Sequence, residues 1–592
     1  MTEPRPTVPF VLLDDGRAPD GRCFLLTDPD QVLVCERPED VPATLDAIGK
    51  AGERGLFAAG FMSYELGYVL ESRLRPLLPE KRNVPLIWMG LFRHCRQIDP
   101  AESLRLIDDW GGDYGLGDMR PSIDRDTYIK AIGRIRDAIA AGEVYQVNYT
   151  FKYHFRFSGD PLGLYGSLRR KQKAAYGAIV ATPDFHVISL SPELFVEVEQ
   201  GRARSLPMKG TVARGPTLEA DAGYRKWLRT DEKSRAENLM IVDLIRNDLC
   251  RIAEIGSVRV PRLFAIETFP TLHQMISEVT ARPRPGIGFA DVVHAIFPCG
   301  SITGAPKVRT MEVIRQLEGE ARGVYTGGIG MISPDGDMRF NVGIRTPVLH
   351  ATGDGEMGVG GGILYDSDPQ AEYEEALLKG HFLTAPYEPF QLIETLRLEG
   401  GRYHLLDRHL ARLTASATYF VFACDIDAVG RRLADLATGL GTGTFRVRLL
   451  LDVDGQIDVT AEPFVTTDTE FTFTISRRPV DRRSPFTYHK TTRRGFLDQE
   501  RTRGGCGEVI FLNDLGQITE GSFTNIFVER GGRLLTPPLE CGLLAGTLRQ
   551  ELLESGRAVE APLEPADLES ADAVFLGNSV RGLVPARREG SG

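Results

Sequence analysis

The chain has 592 residues, of which 42% are hydrophobic and 26% charged, with a formal net charge of −11. It is too long for one hydrophobic core and apolar enough for several. The negative balance argues against nucleic acid as a partner. No run reaches the ~18 to 20 apolar residues of a membrane span, and the eight cysteines are scattered, with no CxxC pair and no His/Cys grouping at zinc spacing.

The opening stretch, MTEPRPTVPFVLLDDGRAPDG, sets acidic residues and prolines around a short apolar run, which suits neither a signal nor a transit peptide. The expectation is a cytoplasmic chain with reduced thiols, no structural metal cluster and no membrane partner. Up to about Leu383, apolar runs alternate with amphipathic helices. PMKGT (207–211) predicts a tight turn around Lys209 rather than an open charged surface. ENLMIVDLIRNDLCRIA predicts a buried helix that Glu237 opens. GSITGAPKVRTMEVIRQLEG predicts a loop entering a helix, with Pro306 in the first turn and Val308, Met311, Ile314 and Leu317 along one face. VGGGILYDSDP, from Val359, predicts a flexible glycine-rich approach, and AEYEEALLKGHFL a helix with Glu372 and Glu375 on one face.

TAPYEPF, with two prolines, predicts a linker. After it, FQLIETLRLEGGRYHLL reads as an alternating strand turning at Gly400 and Gly401, and EVIFLNDLGQITEGSFTNIFVERGGRLLTP as three strands joined by turns. The reading is an α/β (α+β) protein in two sections, residues 1–383 and 390–592, joined by a linker at 384–389.

The carboxylates carry most of the chemistry of the first section. Spacing alone makes Glu372 and Glu375 a solvated acidic turn. Glu237 is harder to dismiss, because an unpaired carboxylate on so apolar a helix is costly. A hard cation such as Mg²⁺, held by two carboxylates and substrate oxygens, resolves that cost. GSITGAPK adds backbone N–H groups near a helix start, a seat for a substrate carboxylate. Together they point to an anionic substrate on Mg²⁺.

SPELF (191–195), PMKGT (207–211), DEKSRAENLMIVDLIRNDL (231–249), GSITGAPK (300–307), YTGGIG (325–330), FNVGIRT (340–346) and GGGILYDSDPQAEYEEALLK (360–379) follow one another in order. As a set they resemble the chorismate-utilising enzymes, the family of anthranilate, isochorismate and aminodeoxychorismate synthases. The resemblance is strong over about 120–383 and weaker before that, through GLFAAGFMSYELGYVLE. It implies a fold of two packed β-sheets with flanking helices, and chorismate as substrate.

The same resemblance makes Glu237 and Glu375 the Mg²⁺ ligands and Glu193 the acid that helps the ring hydroxyl depart. Tyr325, Arg345, Thr211 and the backbone of Gly360, Gly361 and Gly362 would hold the substrate's carboxylates; the other reading of Arg345 is a merely buried guanidinium. Gln146 stands where isochorismate synthases carry a water-activating lysine, so it joins the substrate-binding set and water is not the expected nucleophile. Lys209 stands where anthranilate synthases commonly have alanine and aminodeoxychorismate synthases often have lysine. It points to amination at the ring carbon that loses its hydroxyl, with pyruvate retained. A neutral lysine can attack the ring and then be displaced by ammonia, which needs a pKa lowered by desolvation. The alternative, that Lys209 only pairs with a nearby acid, stays open. The chain carries no recognisable amidotransferase segment, and the family pattern implies a separate glutamine amidotransferase subunit as the ammonia source.

In the second section, DRHLARLTASA (407–417), YHKTTRR (488–494), NDLGQITEGSFTNIFV (513–528), LLTPPLECGLLAGTLR (534–549) and GNSVRGLVPA (577–586) resemble the fold-type IV pyridoxal-phosphate enzymes. These include aminodeoxychorismate lyase and the D-amino acid and branched-chain aminotransferases. The resemblance implies a D-amino acid aminotransferase-like domain binding pyridoxal 5'-phosphate (PLP). Lys490 would form the Schiff base and Glu520 would face the pyridine nitrogen. Arg412, the N–H groups of Thr547 and Leu548, and Ser579 would hold the phosphate. Only FQLIETLR remains of an opening segment that is usually longer, so the domain is shortened at its start. A homodimer through this domain is left open.

Together the two resemblances imply 4-aminobenzoate synthesis for folate, the first section making aminodeoxychorismate and the second eliminating pyruvate from it. Two rivals remain. One pairs an anthranilate-type synthase with a D- or branched-chain amino acid aminotransferase. The other makes the second section a non-catalytic dimerisation or binding module.

Overall fold

The computed structural model describes residues 3–17, 21–386, 388–465 and 469–589. By compactness the chain divides into two units. The first takes in residues 1–211, 228–267 and 274–387, and the second 212–227, 268–273 and 388–592. The expected linker includes Tyr387, which lies outside the described residues; the helix before it, Pro369–Thr384, runs to the linker's first residue.

The first unit is built on two ten-stranded sheets. One runs through Gln146–Gly159, Asp354–Ile363, Phe185–Ser191, Tyr176–Ala181 and Phe10–Asp14; the other through Met208–Ala213, Leu272–Ala281, Leu194–Glu199, Gly328–Ile332, Phe57–Met62 and Ile87–Phe92. Their packing follows from the two-residue period of a strand. In Ile87–Phe92, Trp88 and Phe92 join a cluster that also holds Val11, Val180 and Val187 of the other sheet, whereas Ile87, Met89 and Leu91 face a cluster shared with helices. The other sheet repeats this on its far side, where Tyr149, Phe151 and Val359 pack with Tyr128 and Tyr373 from two helices. Both sheets are thus covered on both faces. Each fully buried Leu or Phe in these layers contributes about 1.5–3 kcal/mol.

Local signals fix the helices that frame the site. Asp231 caps Glu232–Cys250, its carboxylate accepting from the Ser234 N–H at 2.8 Å, and Asp368 caps Pro369–Thr384 in the same way. Several expectations need correction. The helix carrying Glu237 starts at Glu232, so Glu237 lies in its second turn, and it buries only one face, leaving Leu239 50% exposed. Pro306 is the residue before the helix Lys307–Leu317, not part of its first turn. Lys209 sits in the strand Met208–Ala213, not in a turn. The glycine run is not a loop either: Gly360, Gly361 and Gly362 are strand residues paired with Thr150, Tyr149 and Asn148.

In the second unit, Leu392–Glu399 and Arg402–Tyr403 form the expected hairpin in a four-stranded sheet. The helices Leu406–Phe420 and Ile426–Leu440 contribute to the same core. An eight-stranded sheet follows, in which the three strands read from 508–536 are four, Glu508–Leu512, Ile518–Gly521, Asn525–Arg530 and Arg533–Thr536. Among the described residues no helix is long and apolar enough to cross a membrane, and no group of three or more His, Cys, Asp or Glu is arranged to hold a metal.

Candidate active sites

In the first unit, side chains converge on the glycine strand Asp354–Ile363. A Cβ on Gly362 would stand 2.0 Å from Gln146 Nε2 and 2.8 Å from Lys209 Nζ; one on Gly358 would stand 2.1 Å from the Tyr325 ring. At Gly358 the stiff Tyr325 ring leaves room for glycine alone, while at Gly362 a side chain would displace the ends of Gln146 and Lys209. On Gly361 a Cβ would lie 3.2 Å from Glu372 Oε2 and 3.8 Å from Lys379 Nζ. Gln146 is 1% exposed, and neither its amide oxygen nor its nitrogen has a hydrogen-bond partner among the described residues. Such a group is costly unless something else satisfies it.

The charges around this strand are shifted in directions that favour proton exchange. Burial pulls the Lys209 ammonium below its ordinary value and Lys379 adds to this, against the opposing pull of Glu237, Glu193 and Glu372. Glu193 is 4% exposed, and burial raises it to about 7, although Ser301 Oγ donates to its Oε1 at 2.7 Å and Lys209 lies near. Burial raises Glu237 as well, with Asp366 and Glu372 adding and Lys209 and Lys233 opposing. It also raises Glu372, which accepts from Ser367 Oγ at 2.7 Å. Glu375 adds to the rise of Glu372, and carboxylates whose proton affinities are raised by neighbouring carboxylates suit a divalent cation.

The other expected residues are more dispersed. Glu375 is 60% exposed and tied to Lys379 at 2.8 Å, whereas the carboxylates that raise Glu237 are Asp366 and Glu372. Thr211 is exposed and donates to Gln274 Oε1 at 2.9 Å. Tyr325 is buried and its phenol is pushed above the ordinary range. Arg345, at φ +51°, donates to Gln172 and lies 5.9 Å from the Phe382 ring centroid. Burial lowers it to about 10, and among the described residues no carboxylate lies within ion-pair distance. A guanidinium held in this way is a natural seat for an incoming carboxylate.

In the second unit the loop bearing Lys490 is stitched to the strand Leu392–Glu399. The Ile393 N–H donates to Lys490 O at 3.0 Å, and Leu392 bridges Thr491. Burial drives Lys490 well below its ordinary pKa, with Arg494 and Arg412 adding; burial raises Glu520 to about 7. Glu520 accepts from the Leu544 N–H at 3.0 Å. Arg412 donates to both oxygens of Glu394, at 2.8 and 2.6 Å, and to Ala545 O at 3.2 Å. His409 bonds Glu394 on one ring nitrogen, at 2.6 Å; its other lies 3.0 Å from Ser579 Oγ and 3.3 Å from Thr547 Oγ1. Thr547 and Leu548 open the helix Thr547–Glu554, so their N–H groups face outward from its start. Arg412, Thr547 and Ser579 are thus gathered by the Glu394–His409 pair.

The profile described as chorismate binding enzyme matches residues 27–385, and that described as amino-transferase class IV matches 391–588. The chain belongs to the chorismate binding enzyme family. Its second section carries a class IV aminotransferase-like fold. The aminodeoxychorismate synthase of Streptomyces griseus is 46% identical over 257 residues, 43% of this chain and 35% of that protein. Aminodeoxychorismate synthase component 1 of Klebsiella aerogenes is 42% identical over 260 residues, 44% of this chain and 57% of that protein. The matched stretch therefore spans between about a third and somewhat over half the length of these relatives. Among solved structures, anthranilate synthase component I from Streptococcus pneumoniae TIGR4 aligns with a TM-score of 0.55 at 26% identity, covering 62% of this chain and 93% of that one.

Several residues that hold the two candidate sites together carry little signal in the sequence. Ser301 lies inside GSITGAPK, where the segment points to backbone N–H groups and gives no sign of the hydroxyl's bond to Glu193. Glu394 and His409 lie inside FQLIETLR and DRHLARLTASA. A carboxylate on the buried side of an alternating strand was the available signal for Glu394. Glu508, fully buried, accepts from the Ser522 and Phe523 N–H groups and the Thr524 hydroxyl, fixing the turn that follows Glu520. Nothing in its own segment marked it.

Proposed function

We propose that the chain makes 4-aminobenzoate from chorismate in two consecutive steps, the first unit aminating chorismate and the second eliminating pyruvate. The observation that carries the reading is the meeting of Lys209 Nζ and the unpartnered Gln146 amide at Gly362. A water-activating lysine is absent from position 146, and an amine with lowered pKa stands opposite.

In the first step, neutral Lys209 Nζ attacks the conjugated ring as the carbon–hydroxyl bond breaks, and the Glu193 proton leaves with the hydroxyl as water. Ammonia then forms the new C–N bond as the lysine–carbon bond breaks, returning the lysine amine. The net change is chorismate plus ammonia to aminodeoxychorismate plus water. Arg345 and the N–H groups of the glycine strand are suited to the substrate's carboxylates. The raised proton affinities of Glu237 and Glu372 fit Mg²⁺, which Glu237 would hold with Glu372 or, once freed from Lys379, Glu375. Bound there it would neutralise carboxylate charge. The ammonia comes from a separate glutamine amidotransferase.

The second unit fits PLP by the chemistry of its donors. A buried amine of lowered pKa lies within electrostatic reach of a carboxylic acid near 7, and a guanidinium, two hydroxyls and a helix start suit a phosphate. Lys490 would hold the cofactor, Glu520 its ring nitrogen, and Arg412, Ser579, Thr547 and Leu548 its phosphate. Bound PLP would supply an electron sink. Lys490 Nζ, once free of the cofactor, would take the ring proton of aminodeoxychorismate as the carbon–oxygen bond to the enolpyruvyl group breaks and the ring becomes aromatic, and would pass that proton to the departing enolate, giving pyruvate.

The test incubates the full chain with chorismate, ammonium and Mg²⁺, and identifies the product. 4-Aminobenzoate and pyruvate are expected; anthranilate would replace this reading with the anthranilate-type one. Lys209→Ala should abolish amination. Lys490→Ala should accumulate aminodeoxychorismate, and an undiminished yield of 4-aminobenzoate from it would remove the second assignment.

A further inference from the structure

We propose that Arg322 is a positioning residue for the amination site, one buried guanidinium that fixes the acid, the phenol and the glycine strand relative to one another. The inference rests on the amination reading above. Arg322 is 3% exposed and spreads its donors over four segments of the first unit. Nε and Nη2 donate to the two oxygens of Glu318 at 2.8 and 2.7 Å. Nη2 also donates to Asn148 O at 2.6 Å, and Nη1 to Ile302 O at 3.1 Å and Thr326 Oγ1 at 3.4 Å. Its own N–H is taken by Glu65 Oε1 at 2.6 Å, and its guanidinium lies 4.4 Å over the Tyr64 ring.

Each anchor adjoins a group that the chemistry needs. Ile302 follows Ser301, whose hydroxyl holds Glu193. Thr326 follows Tyr325, and its hydroxyl also donates to Tyr325 O at 2.6 Å. Asn148 is paired with Gly362 across the sheet. Glu318 extends the reach further, since its Oε1 accepts from the Thr150 N–H at 2.9 Å and hydroxyl at 3.0 Å, and Thr150 is paired with Gly360. A buried ion pair serving stability alone needs only the Glu318 contact. Here the remaining donors go to separate segments, each bearing or bordering a candidate site group. Lysine could keep the charge but not the geometry, because its three donors radiate from one nitrogen while arginine's fork spans several acceptors.

The experiment measures ammonia-dependent amination by the full chain as wild type, Arg322→Lys, Ser301→Ala and the double variant. Arg322→Lys should lower kcat on the order of 100-fold, the cost of misplacing reacting groups by about 1 Å. Adding Ser301→Ala to Arg322→Lys should cost little more, because the Arg322 variant has already released that hydroxyl from Glu193. KM for ammonium should stay within about twofold. Losses that multiply independently, or a stability loss with kcat preserved, would overturn the inference. Glu318→Gln, which keeps the shape and neutral hydrogen bonds, repeats the cycle should Arg322→Lys fail to fold, with a smaller loss and the same non-additivity expected. A wild type that aminates nothing would defeat the functional reading itself, whereas an active wild type with an equally active Arg322→Lys defeats only this inference.

Discussion

In the proposed amination Glu193 and Lys209 exchange protons in opposite senses, and the pH dependence expected of it follows from that. Glu193 must be protonated to release the hydroxyl, and its raised value of about 7 keeps it so below neutrality. Lys209 must be neutral to attack, and its burial lowers its proton affinity in that direction. With rates plotted against free ammonia, amination should rise as Lys209 loses its proton and fall as Glu193 loses its own, the falling limb lying near pH 7. Glu193→Gln should lower the rate by about 10²–10⁴-fold and abolish that limb. Stability has its own sign. Because Glu193's folded value lies above its unfolded one, the neutral form favours folding below the unfolded value, and the contribution is lost as pH rises through about 7. Glu193→Gln should therefore melt higher than wild type above pH 7 and gain less in acid, a comparison that thermal scans at two pH values decide.

At the scale of elements, the strand Leu392–Glu399 does more than its sequence announced. Its alternation was legible, with Leu392, Leu396 and Leu398 buried as the two-residue period requires. Glu394 occupies the same buried side, where patterning has no reason to put a carboxylate. Its partners, His409 and Arg412, lie 15 and 18 residues further on, across a turn and into a helix. Those partners and hydrogen bonds hold Glu394 down at about 2, against the upward push of burial. A depressed carboxylate contributes stability above its unfolded value and loses it as pH falls toward the folded one, so the second unit should weaken between about pH 4.5 and 2. Glu394→Gln leaves Arg412 buried beside a neutral amide, and breaking such a pair costs about 3–5 kcal/mol. Titration of apo protein with PLP, together with a thermal scan, should show weaker cofactor retention and a lower midpoint; unchanged retention would reduce Glu394 to an ordinary core residue. The glycine run was illegible for a different reason. Glycine carries no periodic signal, and its partner strand lies some 200 residues away, so chain order could not distinguish a strand from a loop.

For the whole molecule, the order of motifs made two functional sections legible, because each motif keeps its residue types in a short window. Less legible was the composition of the compact units. Residues 212–227 and 268–273 group with the second unit although they precede the proline-rich junction by more than a hundred residues. Arg322 shows the same limit on a smaller scale, since its bond to Asn148 spans 174 residues and no local pattern announces it. Lys209 and Lys490 belong to different units, each served by its own carboxylates. Mixed Lys209→Ala and Lys490→Ala proteins should therefore restore 4-aminobenzoate from chorismate and ammonium, with a lag that shortens as the second protein is increased. No restoration from two individually folded variants would show that the intermediate does not pass between molecules.

The bare amide of Gln146 has a consequence for anyone engineering this protein. A buried polar side chain that no protein group pairs is costly to the fold, and an apolar side chain of similar volume would suit the surroundings better. Selection for heat resistance would favour such a replacement. A thermostable library is accordingly where the catalyst is most easily lost unnoticed, its melting curve improving as its chemistry disappears.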